Sequence, residues 1–253
     1  MASSTTREAL TRFLDEQLNP DAFRDYCPNG LQVEGRSEIG LVVCGVTANQ
    51  ALLDLAVAEG ADAILVHHGW FWRGETGVVT GIKRNRLKTL LTNDINLYAY
   101  HLPLDAHPAI GNNAGLARAA GWTSAGTFGE QGLGCLGIPA ADATVASIAA
   151  DLEKAVGRPP FVLAESGDKP IRRIAWCTGG AQSYFEAAIE AGADAFVTGE
   201  VSEPMVHLAR ESGVAYFAAG HHATERFGVQ ALGMRLIDRF GIRVRYLEVE
   251  SPV

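Results

Sequence analysis

Five side chains of the kinds that hold divalent cations stand at or just beyond the ends of predicted strands: the imidazoles of His67, His68 and His221, and the carboxylates of Asp105 and Glu225. Imidazole nitrogen and carboxylate oxygen together suit borderline ions such as zinc, iron(II) or manganese. Two such ions about 3.5 to 4 Å apart need bridging oxygens, which carboxylates supply and imidazoles do not, so Asp105 and Glu225 are the natural bridges. In His221-His-Ala-Thr-Glu225 a helical turn would put the first and last side chains on one side. His67 and His68 would diverge within a regular strand, but the chain can turn at Gly69, so that each serves one ion. A single histidine is more often a hydrogen-bonded or surface residue than a ligand. Five of the seven here, however, fall at the ends of predicted strands in repeated units, and only His107 and His207 lack that placement and read as structural or exposed.

The elements that must position these groups alternate between short apolar runs and amphipathic stretches, the pattern of an α/β fold with largely parallel strands. Leu41 to Val46 reads as a strand, Thr47-x-x-Gln50 resembles a capping box, and Gly60 ends the helix so opened. A buried strand, Ala63 to Val66, then delivers His67 and His68. The same order returns later. Gly60-Ala61-Asp62-Ala63 recurs as Gly192-Ala193-Asp194-Ala195, and at the same offset Gln50 meets Gln182 and Ala56 meets Ala188. Strands are expected before each copy (Leu41 to Val46; Ile174 to Thr178) and after it (Ala63 to Val66; Ala195 to Thr198), which makes duplication the better account. Strand-like Ile95 to Tyr100 runs into His101-Leu-Pro-Leu-Asp105, and Val214 to Ala219 runs through Gly220 into His221 to Glu225. Each half thus places a histidine and a carboxylate four residues apart beyond a strand's carboxyl end, where α/β sheets gather ligands. Asn112 and Asn113 are expected to cap the helix that Gly121 closes.

Composition narrows the class. The chain has 253 residues with 47% hydrophobic content, enough for one large or two small cores. No run of about 18 apolar residues appears, and the opening Met-Ala-Ser-Ser-Thr-Thr is not the apolar stretch of a secretory signal, so a cytoplasmic protein is expected. The four cysteines, Cys27, Cys44, Cys135 and Cys177, have no Cys-x-x-Cys spacing and read as buried thiols. A net charge of -8 and a pI near 5.4 argue against nucleic acid as the partner. The basic cluster Lys83, Arg84, Arg86 and Lys88 reads as the solvated side of a helix that turns Leu87, Leu90 and Leu91 inward.

Taken together, Asp25-Tyr-Cys-Pro-Asn-Gly-Leu-Gln-Val33, His67-His-Gly69, His101-Leu-Pro-Leu-Asp105, Thr198-Gly-Glu200 and Gly220-His-His-Ala-Thr-Glu225 resemble the hexameric dinuclear-metal-centre family, also called NGG-interacting-factor-like, whose members are often named GTP cyclohydrolase type 2 homologs. The likeness runs from about residue 7 to residue 250. It implies two intertwined α/β structural repeats with mixed, largely parallel sheets. The first, residues 1–125, would carry His67, His68 and Asp105, and the second, residues 126–253, His221 and Glu225. It implies further a ring-shaped homohexamer and two divalent metal ions per chain (zinc, iron or manganese), with the family's ligands falling on His67, His68, Asp105, His221 and Glu225. His101 matches a motif histidine near the metals, a candidate for proton transfer or for supporting a ligand. His222 is not expected to be a ligand. Asn29 and Glu200 also match motif positions, as substrate contacts or as a turn residue and a strand-end charge.

The chemistry expected of such a site is hydrolysis. Two divalent ions acidify bound water toward a pKa of about 7, and the hydroxide so formed attacks an electrophilic carbon or phosphorus. The family name implies a GTP cyclohydrolase-like reaction, opening a cyclic amidine C–N bond of the purine imidazole ring with release of formate. No Gly-x-x-x-x-Gly-Lys loop is present, so a nucleotide substrate would be held by metals, arginines and ring walls. Trp70, Phe71, Trp72 and Tyr100 are either such a wall, stacking a heterocyclic base, or core. The alternative to an enzyme is a non-catalytic metal carrier or storage ring; a catalyst keeps a coordination position open, a cage closes it. A partner-binding adaptor is the third reading.

Overall fold

The computed structural model describes residues 3–253; Met1 and Ala2, which open the polar N-terminal segment, lie outside the described residues. Helices and strands alternate as the sequence pattern predicts, and the class is α/β with mixed sheets. The sheets are not largely parallel as expected, because antiparallel strands flank the parallel ones and make up as many of the pairings among the described residues. No helix among the described residues is long and apolar enough to cross a membrane. The chain forms two compact units. One runs up to Leu104 and includes Gly228–Glu250; the other comprises Asp105–Phe227 with Ser251–Val253. The chain therefore leaves the first unit at Leu104 and returns to it at Gly228, where a simple division into halves would place one junction near residue 125.

In the first unit five strands lie in the order Arg243–Tyr246, Leu41–Thr47, Ala63–His68, Asn96–Ala99 and Gly30–Val33. Each neighbouring pair is parallel except the last, where Gly30–Val33 runs antiparallel to Asn96–Ala99. Val43, Ile64, Val66 and Leu97 are fully buried, as the continuous apolar runs of covered parallel strands require. The helix Gln50–Glu59 covers them with Leu52, Leu53 and Ala56 and ends on Gly60 at φ 72°. Its N-terminal cap is Asn49, whose side chain accepts from Leu52 N; Thr47 is still in the strand and does not cap. The helix Gly81–Asn93 buries Leu90 and half-buries Leu87, but Leu91 is exposed, contrary to the inward face expected of it.

In the second unit the order is Thr123–Phe128, Gly134–Ile138, Ile174–Trp176, Ala195–Thr198, Ala215–Ala218 and Phe161–Leu163. The three strands from Ile174 to Ala218 are mutually parallel and the others antiparallel to their neighbours. A core of Trp176, Val197, Phe217, Ile148 and Leu152 fills the space beneath the helix Val145–Val156.

The two Gly-Ala-Asp-Ala segments make corresponding bonds. Asp62 Oδ2 accepts from the backbone N–H groups of Gly40 and Leu41 at 2.8 and 2.9 Å, and Asp194 Oδ2 accepts from those of Arg172 and Arg173 at the same two distances. Each aspartate thus staples the entry of its own strand to the entry of the strand before it. Gly60 and Gly192 both stand at positive φ just ahead. The second correspondence differs from expectation by one residue. Tyr100 N donates to Val66 O, and Ala219 N to Thr198 O. These matched bonds align Tyr100 with Ala219, and so His101 with Gly220 rather than with His221. The glycine is an added step before the second helical turn.

Candidate metal centre

In the first unit the strand Ala63–His68 carries both histidines at its carboxyl end. His67 is fully buried and its Nδ1 donates to the Tyr100 carbonyl at 3.0 Å, which leaves Nε2 as the lone-pair nitrogen. His68 is half-buried, with Nδ1 sharing a hydrogen bond with Thr47 Oγ1 at 3.1 Å. His101 follows the strand Asn96–Ala99 and joins them: ring centroids lie 4.6 Å apart for His67 and His68, 5.1 Å for His67 and His101, and 5.7 Å for His68 and His101. One nitrogen from each of the three lies within 4.8 Å of the others, a grouping able to hold a metal ion.

The loop before Gly30–Val33 holds His101. Its Nδ1 is 2.7 Å from Asp25 Oδ1, and its backbone N–H donates to Asn29 Oδ1 at 2.7 Å. Burial pushes the Asp25 carboxyl up, but the His101 bond and charge, Asn29 and the Tyr26 N–H outweigh it and hold the group at about 2. Asn29 is therefore a brace within the loop, its Nδ2 donating to Asp25 Oδ2 at 2.9 Å. Gly69 is required where it stands: a Cβ there would overlap Ala99 Cβ on the neighbouring strand as well as Gln32 Oε1, which accepts from Trp70 N.

The four aromatics divide. Trp70 and Tyr100 are core, their polar ends bonded to Ala48 O and Asp15 Oδ1. Phe71 is half-buried with Lys83 above its ring. Trp72 alone stands against the histidines, edge-on to His101 at 5.1 Å and 6.1 Å from His68.

In the second unit Asp105, His221 and Glu225 are held by one turn of backbone, Thr178-Gly179-Gly180, that follows the strand Ile174–Trp176. Asp105 is buried and its Oδ1 accepts from Asn112 Nδ2 at 2.8 Å and Thr178 Oγ1 at 3.3 Å. Asn112 and Asn113 do not cap the helix Asn112–Ala120, whose cap is Gly111; they lie buried within it, Asn113 accepting from Thr178 N. Glu225 is 2% exposed and packs on Gly179, where a Cβ would overlap its Oε1. His221 Nε2 lies 3.2 Å from Glu225 Oε2 and its Nδ1 2.7 Å from Glu200 Oε1. Burial lowers the His221 pKa, but the two carboxylates outweigh it and raise it to about 9. The acids also act on Cys177, a thiol raised well above its ordinary range by burial and then by the charges of Asp105 and Glu225. Glu200 is accordingly a partner of His221. His107 accepts from the N–H groups of Ala109 and Ile110 in a turn, and His207 is exposed beside Glu203, both as expected.

Thr47, Asp25, Thr178 and Gly179 carry much of this geometry and had no place among the expected site residues. Only Asp25 had a sequence signal, as the first residue of a motif stretch. The donor set fits a divalent ion: oxygen and nitrogen donors, with the Nδ1 of each candidate ligand imidazole already engaged.

A family model described as Duf34/NIF3 (NGG1p interacting factor 3) matches residues 5–252. The chain belongs to this family. It is 54% identical to a GTP cyclohydrolase 1 type 2 homolog of Yersinia pestis over 96% of this chain and 98% of that one. The protein of the same name in Escherichia coli K12 is 50% identical with the same coverage. Among solved structures, protein ybgI, described as of unknown function, matches with a TM-score of 0.95 at 48% identity, over 98% of this chain and 100% of that one. Reduced HcgD from Methanocaldococcus jannaschii, 24% identical with a TM-score of 0.87 over 98% of this chain and 100% of that one, shares the fold alone. The family's fold is thus this chain's fold.

Proposed function

We propose that this protein binds two divalent metal ions through His67, His68, Asp105, His221 and Glu225, and that it is a metal-dependent hydrolase acting on a cyclic amidine C–N bond. The observation that carries the reading is the state of the three ligand imidazoles. Each has its Nδ1 engaged by a fixed oxygen, the Tyr100 carbonyl for His67, the Thr47 hydroxyl for His68 and the Glu200 carboxylate for His221. Outer-shell bonds of this kind orient a metal-binding histidine and present Nε2. Bound there, the ions would supply Lewis acidity that activates water and polarises the carbon under attack.

The residues of the chain do the rest. Asn112 and Thr178 hold Asp105, and the bare backbone at Gly179 gives Glu225 its place. His101 moves a proton at its Nε2, since its Nδ1 is committed to Asp25. Trp72 stands beside it with its ring nearly perpendicular. The substrate is proposed from the relatives' name, GTP cyclohydrolase 1 type 2 homolog, and GTP is the first compound to test.

Protein purified without chelators and supplemented is expected to hold about two divalent ions per chain, and Glu225→Ala to lose bound metal with its fold intact. Unchanged metal in that variant removes Glu225 from the ligand set. Formate release from GTP by wild type, absent in Asp105→Ala, supports catalysis; full metal binding with no turnover across nucleotides and cyclic amides favours a carrier. We propose also that the protein forms a homohexamer, which light scattering tests directly; a monomer mass refutes it.

A further inference from the structure

We infer that Asp25 is a positioning residue: its carboxylate sets which nitrogen of His101 bears the proton, keeping Nδ1–H toward Asp25 and the Nε2 lone pair available to the histidine cluster. The inference rests on the reading of this cluster as catalytic. Its ground is the number of bonds spent on one histidine. Asp25 Oδ1 meets His101 Nδ1 at 2.7 Å, and Oδ2 accepts from the N–H of the next residue, Leu102, at 2.9 Å. Asn29 Oδ1 takes the His101 N–H at 2.7 Å while Asn29 Nδ2 ties back to Asp25 Oδ2. Two side chains from one loop thus fix the ring, the peptide on its N-terminal side and the peptide after it. The Asp25 side chain is 4% exposed, so water does not compete for the bond. Trp72, edge-on at 5.1 Å, limits the ring's rotation from another side, with its own Nε1 donating to Gly69 O.

A competing use of the same residues is a metal site, since donor atoms of Asp25, Cys27 and His101 also lie within 4.8 Å of one another. The bonding argues against it. Both oxygens of Asp25 are taken by four donors, the N–H groups of Tyr26 and Leu102, Asn29 and His101. What remains is the arrangement in which a buried aspartate holds an imidazole in one tautomer for proton transfer.

The test reads the tautomer itself. Nitrogen-15 NMR of the His101 ring, recorded on metal-free protein at a pH where the ring is neutral, is expected to show protonated Nδ1 in wild type. Asp25→Asn is expected to shift it to Nε2–H, because an amide can donate to Nδ1. Turnover of GTP by the zinc-loaded variant is expected to fall by about 10²- to 10⁴-fold in kcat with little change in KM, while Asp25→Glu recovers part of it. A wild-type ring protonated on Nε2 overturns the inference, as does an unchanged tautomer or an unchanged kcat in Asp25→Asn. The wild-type spectrum decides even if the variant fails to fold. Absence of turnover in wild type counts against the hydrolase reading, and the tautomer result is then still decisive for Asp25.

Discussion

Gly179 and Glu225 are in such close contact that any side chain at residue 179 would take the space of Oε1. Gly179 is also at φ 72°, where an L side chain is strained. Gly179→Ala is therefore expected to displace the Glu225 carboxylate and to cost about 1–3 kcal/mol of stability. Metal analysis and thermal unfolding check the two effects together. Full metal content in a folded Gly179→Ala protein would show that Glu225 does not depend on this contact.

Thr47 makes a more selective probe. Its hydroxyl, 3.1 Å from His68 Nδ1, is replaced by a methyl in Thr47→Val, which keeps shape and β-branching in the strand. Stability is expected to change little, whereas metal affinity is expected to fall roughly 10- to 100-fold, the usual effect of losing an outer-shell partner. Competition against a chromogenic chelator measures it. An unaltered affinity means His68 is oriented by other contacts.

The paired staples predict paired costs. Asp62→Ala and Asp194→Ala each remove an acceptor from two backbone N–H groups at a strand entry. Each is expected to destabilise the protein by about 1–3 kcal/mol, read by denaturant unfolding. A loss in one variant only would mean that the two copies differ in load, Asp62 having Arg36 as a further partner.

Acid stability follows from Asp25. Its carboxyl is held near 2 against an ordinary 3.8, so folding gains stability that is complete above about pH 4 and is lost as pH falls toward 2. The shift corresponds to about 2 kcal/mol. Wild type and Asp25→Asn are expected to differ most above pH 4 and to converge at low pH. Parallel pH curves would contradict the linkage.

His221 has the opposite sign. Raised to about 9, it contributes stability in the metal-free protein that is complete below its ordinary 6.5 and is lost as pH rises through 9. That proton must leave before Nε2 can bind a cation. Apparent zinc affinity is expected to rise up to tenfold per pH unit between about 7 and 9, and calorimetry in buffers of different ionisation enthalpy to show protons released. A flat pH dependence would mean that no proton is displaced.

The strands that carry His67, His68 and His101 were legible because covered parallel strands leave long apolar runs, and because Asp62 and Asp194 sit in matching Gly-Ala-Asp-Ala phrases. The partners of those residues were not. Thr47 reads as a cap by its spacing to Gln50, yet its hydroxyl goes to a residue on the neighbouring strand. Asn112 and Asn113 stand where caps belong, but their amides reach Asp105 and Thr178. In each case a polar side chain has a local use and a distant one, and only the register of the folded sheet decides between them. The one-residue slip between His101 and His221 was legible as a count, since Gly220 stands between Ala219 and His221, and the matched backbone bonds turn that count into an alignment.

The return of the chain at Gly228 has a consequence for biosynthesis. The strand Arg243–Tyr246 pairs with Leu41–Thr47, so a sheet begun early is completed only by residues made some two hundred positions later. A nascent chain emerging from the ribosome has nearly all of the inserted unit in hand while the host unit still presents an open sheet edge. That edge is the surface on which premature release or stalled synthesis would promote aggregation.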